Sequence, residues 1–204
     1  MEAFTTSPVT FALLAANIVA SVVALTVPDF MDQNSFWIRP VREQKQWHRV
    51  LTSGFLHVNG AHLLVNMLTL YFFGPPLEAT LGSVNFILLY FGSLLGGSLW
   101  EIVDKYNRPD YRAIGASGAI SGLMSAVGLL FPFATIYIFF ALPIWAGLYA
   151  LLFIIVSFIY SQRENTMIAH GAHLGGALAG LAITLILKPE ALDHLMRQLA
   201  NRFG

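Results

Sequence analysis

The chain has 204 residues, 56% hydrophobic and 11% charged, with zero net charge, six histidines and no cysteine. A soluble domain of this size carries charge on about a quarter of its residues, so the composition is that of a polytopic membrane protein. Neutrality gives no electrostatic footing for nucleic acid or acidic substrates, and the lack of cysteine excludes disulfides, thiolate nucleophiles and Cys-ligated metals.

Crossing a bilayer takes roughly 20 apolar residues at 1.5 Å rise each. Six segments qualify: residues 9–27, 57–81, 84–103, 115–131, 135–160 and 168–187. The first has no basic flank and reads as a retained helix rather than a cleaved signal. The loop after it, 29–56, mixes Arg39, Arg42, Glu43, Lys45 and Arg49 with Phe36, Trp37, Ile38 and Trp47. Such a loop belongs in the interface, with its tryptophans at headgroup level. The second segment holds His62 and Asn66 in otherwise apolar sequence. The fourth is short and rich in Gly, Ala and Ser, which places it in the middle of a bundle, where small residues let backbones approach. The tail, 189–204, spaces Leu192, Leu195, Met196, Leu199 and Phe203 at helical intervals between charges, as a helix lying on the membrane does. The expected fold is one all-α membrane domain over 1–204. It is a six-transmembrane-helix bundle with a short central helix 4 and a large interfacial first loop.

Segments two, four and six are all even-numbered, so they cross in one direction and open on one face. Ser117 starts segment four, His62 and Asn66 lie in the first turns of segment two, and His173 lies near the start of segment six. All four therefore share one shallow depth. His62 and Asn66 are four residues apart and share a helix face. Gly118 and Gly122 on segment four match Gly176 and Gly180 on segment six, a spacing that permits close helix contact.

Serine is a weak nucleophile until a base takes its proton, and His173 is the candidate base. No acid lies within segments four or six, so the arrangement is a Ser–His dyad. Ser117 sits where free N–H groups and the helix dipole favour an anion, and His62 and Asn66 offer further donors to an oxyanion. Ser121 lies one turn deeper and is the poorer nucleophile. Each residue also has a plainer reading. Ser117 and the glycines serve packing, His62 and Asn66 bond neighbouring helices, and Arg49 and Glu78 are structural. His170 and His173 form an H-x-x-H pair, but two histidines without a third ligand make a poor zinc site.

Taken together, these motifs resemble the rhomboid family of intramembrane serine proteases. Gly115-Ala116-Ser117-Gly118 matches G-x-S-G, the stretch from Ala172 to Gly180 matches A-H-x-x-G-x-x-x-G, and His62 to Asn66 matches H-x-x-x-N. Trp47-His48-Arg49 approximates the tryptophan-arginine motif of the first loop, and the stretch from Phe73 to Glu78 is similar to the end of the second helix. The resemblance implies Ser117 as nucleophile, His173 as general base, and His62 and Asn66 at the oxyanion, with Arg49, Glu78, Gly115, Gly118, Gly176 and Gly180 in support. It implies transmembrane protein substrates in the lipid bilayer, with no metal, cofactor or nucleic acid. It also implies that segment five and the 161–167 loop act as gate and cap. Two residues depart from the pattern: Ser121 stands where many relatives carry an aromatic against the histidine, and His48 interrupts the loop motif.

The family orientation puts the site on the extracytoplasmic face of a bacterial-type inner membrane. Yet eight of the eleven Lys and Arg residues lie in the loops on that face, which by the positive-inside rule favours the reverse. A non-proteolytic binder of unstable transmembrane helices is the alternative function. A small transporter fits less well, because its polar residues would not gather at one face.

Overall fold

A computed structural model of the chain describes residues 6–138, 141–161 and 169–204. The long helices are α1 (Pro8–Thr26), α5 (Gly60–Leu81), α6 (Ser83–Asp104), α7 (Ser117–Leu130), α8 (Ala146–Ser161) and α9 (His170–Leu187), followed by α10 (Ala191–Phe203). Between α1 and α5 the first loop folds as α2 (Phe30–Asn34), β1 (Phe36–Trp37), α3 (Ile38–Glu43), α4 (Arg49–Thr52) and a 3-10 turn over Ser53–Phe55. Among the described residues three helices, α1, α6 and α9, are long and apolar enough to cross a membrane. Helix α5 has the length, at 22 residues, but His62, Asn66, Pro75, Pro76 and Glu78 lower its hydropathy. Helices α7 and α8 are shorter, with 14 and 16 residues.

Two parts of the structure correct an all-helical reading. Strand β1 pairs antiparallel with β2 (Arg112–Ala113), tying the first loop to the α6–α7 connection. The fifth segment, expected as a helix from residue 135, instead opens with a hairpin of β3 (Thr135–Ile138) and β4 (Leu142–Trp145), and α8 begins only at Ala146. The cause is local. Thr135, Ile136, Tyr137 and Ile138 are β-branched or aromatic, and Pro143 cannot sit inside a helix without losing a hydrogen bond. Helix α5 likewise starts three residues later than expected, at Gly60, because Asn59 caps it by accepting the His62 N–H at 2.9 Å. Most of the 161–167 loop lies outside the described residues.

Helix α7 is the hub. Every residue from Gly118 to Leu129 is buried, and the helix packs on α5, α6, α8, α9 and α10. Its seam with α9 consists of glycines: a Cβ at Gly176 would lie 2.1 Å from the Gly118 carbonyl oxygen, and one at Gly180 would lie 2.4 Å from the Gly122 Cα. Helices α6 and α9 meet as closely, since a Cβ at Gly97 would lie 2.6 Å from the Ala172 carbonyl oxygen. Without a strong hydrophobic force between helices in lipid, such contact surfaces supply the van der Waals attraction. The outward faces are apolar instead of charged, as with Ile18, Val19 and Val22 on α1 and Leu151, Leu152 and Ile155 on α8.

Two buried charges fasten the periphery. Arg49 donates to the Asp32 and Ser35 carbonyls at 2.6 and 2.9 Å and to Gln46 Oε1 at 2.6 Å, closing the first loop over a small core of Phe36, Ile38, Val41 and Val50. Glu78 accepts from the Val9 and Thr10 amides at 3.0 and 2.8 Å, and from the hydroxyls of Thr10 and Ser83 at 2.8 and 2.7 Å. Its carboxylate thus sits at the positive end of α1 and satisfies amides the helix leaves free. Glu78→Ala removes the acceptor for all four donors. Hydrogen bonds to charged groups contribute about 1.5–3 kcal/mol each, so the expected melting order is wild type, then Glu78→Gln, then Glu78→Ala, read by thermal unfolding in detergent.

Candidate active site

The start of α7 is shaped by the residues before it. Gly115 has φ of +133°, a conformation side chains rarely adopt, and its amide donates to the Ser53 carbonyl at 3.0 Å. The chain then turns so that Ser117 becomes the first residue of α7. Ala116, at the N-cap, provides no side-chain acceptor, so the first amides of α7 stay available.

Gly115 also makes room for His62. A Cβ there would lie 2.9 Å from His62 Nε2 and 3.6 Å from Ser117 Oγ, so both groups flank one point. Asn66 is buried one turn further along α5, and among the described residues its Nδ2 has no hydrogen-bond partner. A buried amide donor left unpaired is rare. The first turn of α9 brings His173. Ser117, His173, His62 and Asn66 all line a single cavity of about 600 Å³, within the range of ligand sites. Among the described residues no hydrogen bond joins Ser117 Oγ to His173; such bonds often tighten only when substrate binds. Ser121 turns its hydroxyl back to the Ser117 carbonyl at 2.6 Å. Of the supporting residues, Gly115, Gly118, Gly176 and Gly180 border the site or its seam, while Arg49 and Glu78 lie away from it in the contacts described above.

Four further residues stand here that the motifs do not contain. Glu101, near the C-terminal end of α6, is fully buried. Its Oε1 accepts the Ala172 amide at 2.6 Å, one residue before His173. An acid in an apolar segment is a signal in itself, and the end of an odd-numbered segment lies on the same face as the start of an even one. Tyr111 faces Glu101 from the α6–α7 connection; burial, and then the Glu101 charge, push its phenol well above the ordinary range, so it remains a neutral donor. His57 is fully buried, its Nδ1 2.8 Å from Ser21 Oγ and its ring 4.9 Å from that of His62. Phe153 of α8 packs on His173. No spacing rule connects these last two to the site in advance.

Comparison with known proteins shows the family. The sequence pattern of the rhomboid domain matches residues 44–190. The chain is 32% identical over 157 residues to RHOMBOID-like protein 12, mitochondrial, of Arabidopsis thaliana, covering 69% of this chain and 47% of that protein. It is 34% identical over 143 residues to Rhomboid protein 1, mitochondrial, of Saccharomyces cerevisiae, covering 65% and 39%. It is 31% identical over 137 residues to Rhomboid protease GluP of Bacillus subtilis, covering 67% and 25%. The chain spans less than half the length of each of these relatives. The matched pattern takes in well over half of the chain and all four cavity-lining motif residues, and this membrane-embedded, multi-pass chain belongs to the rhomboid family.

Proposed function

We propose that the protein is an intramembrane serine endopeptidase that cuts transmembrane segments of other membrane proteins with a Ser117–His173 dyad. The observation that carries this reading is the convergence of Ser117, His173, His62 and Asn66, from three separate helices, on one cavity. His173 takes the Ser117 proton as Oγ attacks the scissile carbonyl. The oxyanion is met by Asn66 Nδ2, the His62 imidazole and the first amides of α7. His173 then returns the proton to the leaving amine, and water, activated by the same base, hydrolyses the ester. The chemistry needs neither metal nor cofactor. In this reading α1 and α5 to α9 are the six spans, and α8 borders the route by which substrate enters. The site faces the extracytoplasmic side of an inner membrane; the relatives include mitochondrial as well as bacterial proteins.

The test is labelling of purified protein by a fluorophosphonate, together with cleavage of a transmembrane test substrate in liposomes. Both are expected in the wild type and neither in Ser117→Ala. Labelling that survives the substitution overturns the assignment of the nucleophile. Substrate capture with no labelling and no cleavage favours the non-proteolytic binder.

A further inference from the structure

The imidazole of His173 is placed by rings. Its centroid lies 5.7 Å from that of Phe153, with 31° between the planes, and Phe153 stacks in turn on Tyr149 at 6.1 Å and 25°. The His170 ring stands edge-on to it at 5.7 Å and 78°. These separations are those of interacting aromatic pairs. Helix α7 presents no ring here, because the residue one turn after Ser117 is Ser121, whose hydroxyl is engaged with the Ser117 carbonyl. The column Tyr149–Phe153–His173 therefore comes from α8.

The two ends of α8 are attached differently. Near its start, α8 is wedged against the helix before it: a Cβ at Gly128 would meet the Ala150 Cβ at 2.5 Å and the Ala146 carbonyl at 3.1 Å, and one at Gly147 would meet Pro132 at 3.1 Å. Farther along, ring contacts join it to α9: Phe153 to His173, and Tyr160 to His170 at 5.2 Å. Backbone wedging fixes one end of the helix, whereas the end that carries Phe153 meets the base through its ring.

We propose that Phe153 is a positioning residue for the general base: its ring sets the plane of the His173 imidazole, so that activation of Ser117 depends on where the outer half of α8 sits. The inference rests on the dyad reading above. It makes α8 a checkpoint, since displacing this half withdraws the ring, and the base is ordered again only when the helix returns.

The full chain in detergent provides the test. Phe153→Leu and Phe153→Met remove the ring but keep apolar volume, and Phe153→Tyr keeps the ring. Small displacements of a catalytic group cost up to about 100-fold in rate. Fluorophosphonate labelling and kcat are therefore expected to fall about tenfold or more in the Leu and Met variants, with KM within about twofold, and to stay near wild type in Phe153→Tyr. Wild-type labelling rates in Leu and Met overturn the proposal. So does an equal fall in all three variants accompanied by a lowered melting temperature, which marks bulk packing. A wild type that fails to label overturns the dyad reading itself, a different result from a labelled wild type whose variants match it.

Discussion

Combining Ser117→Ala with His173→Ala is expected to slow cleavage no further than either substitution alone, each of which lowers kcat by roughly 10,000-fold or more. In the proposed dyad the nucleophile and its base form one functional unit. Without Oγ there is nothing for the imidazole to deprotonate, and without the imidazole the hydroxyl keeps its proton. What survives is stabilisation of the oxyanion and of the bound substrate, which the double variant retains, since Asn66, His62 and the α7 amides are untouched. Measuring kcat for both single variants and the double variant on one transmembrane substrate gives the cycle. Additive losses would mean that the two residues act independently and would sink the dyad. Ser117 is half-buried at the first position of α7 and lines the cavity, and loss of one hydroxyl there leaves no apolar void, so Ser117→Ala should melt as wild type does, which separates loss of chemistry from loss of fold.

The largest expected effect on stability is at Gly176. Its added Cβ would meet the Gly118 carbonyl oxygen at 2.1 Å and the Gly118 Cα at 2.9 Å. Those are backbone atoms, so no side-chain rotation relieves the clash and the two helices must separate. Overpacking of a core costs typically about 1–3 kcal/mol, occasionally more, and this contact lies at or beyond the upper end. Gly176→Ala is expected to unfold at markedly lower temperature and to accumulate poorly in membranes. Gly60, the first residue of α5, is the control: a Cβ there meets nothing within 4 Å, so alanine is accommodated without a clash. Melting curves of the two variants side by side decide the matter; equal behaviour would mean that the seam relaxes freely.

How much of this was legible beforehand varies residue by residue. Depth along a helix follows from residue number, and parity follows from counting segments. Those two quantities suffice to bring His62, Asn66, Ser117 and His173 to one level. Rotation about a helix axis is another matter. A segment apolar on every side, like the one carrying Phe153, gives no clue to which residues face inward, so the Phe153–His173 contact has no sequence signature. Glu101 had one, an acid near the end of an apolar run, but its partner Ala172 amide belongs to a different segment. The hairpin at residues 135–145 was hidden because a short apolar run reads alike as strand or helix; Pro143 was the residue that distinguished them.

If the protein cuts transmembrane segments as proposed, the burial of α7 has a consequence for what can be cut. A helix enclosed on all sides by α5, α6, α8, α9 and α10 offers its serine only from the tip. An intact substrate helix is about 10 Å wide, and the backbone carbonyls of its interior are engaged in the i to i+4 ladder, so its middle can neither lie alongside that tip nor lend it a free carbonyl. A chain reaches Ser117 only after a few residues have given up their internal bonds. The selection is then thermodynamic before it is chemical: among the segments in the membrane, those whose ends fray at least cost are the ones the site can read.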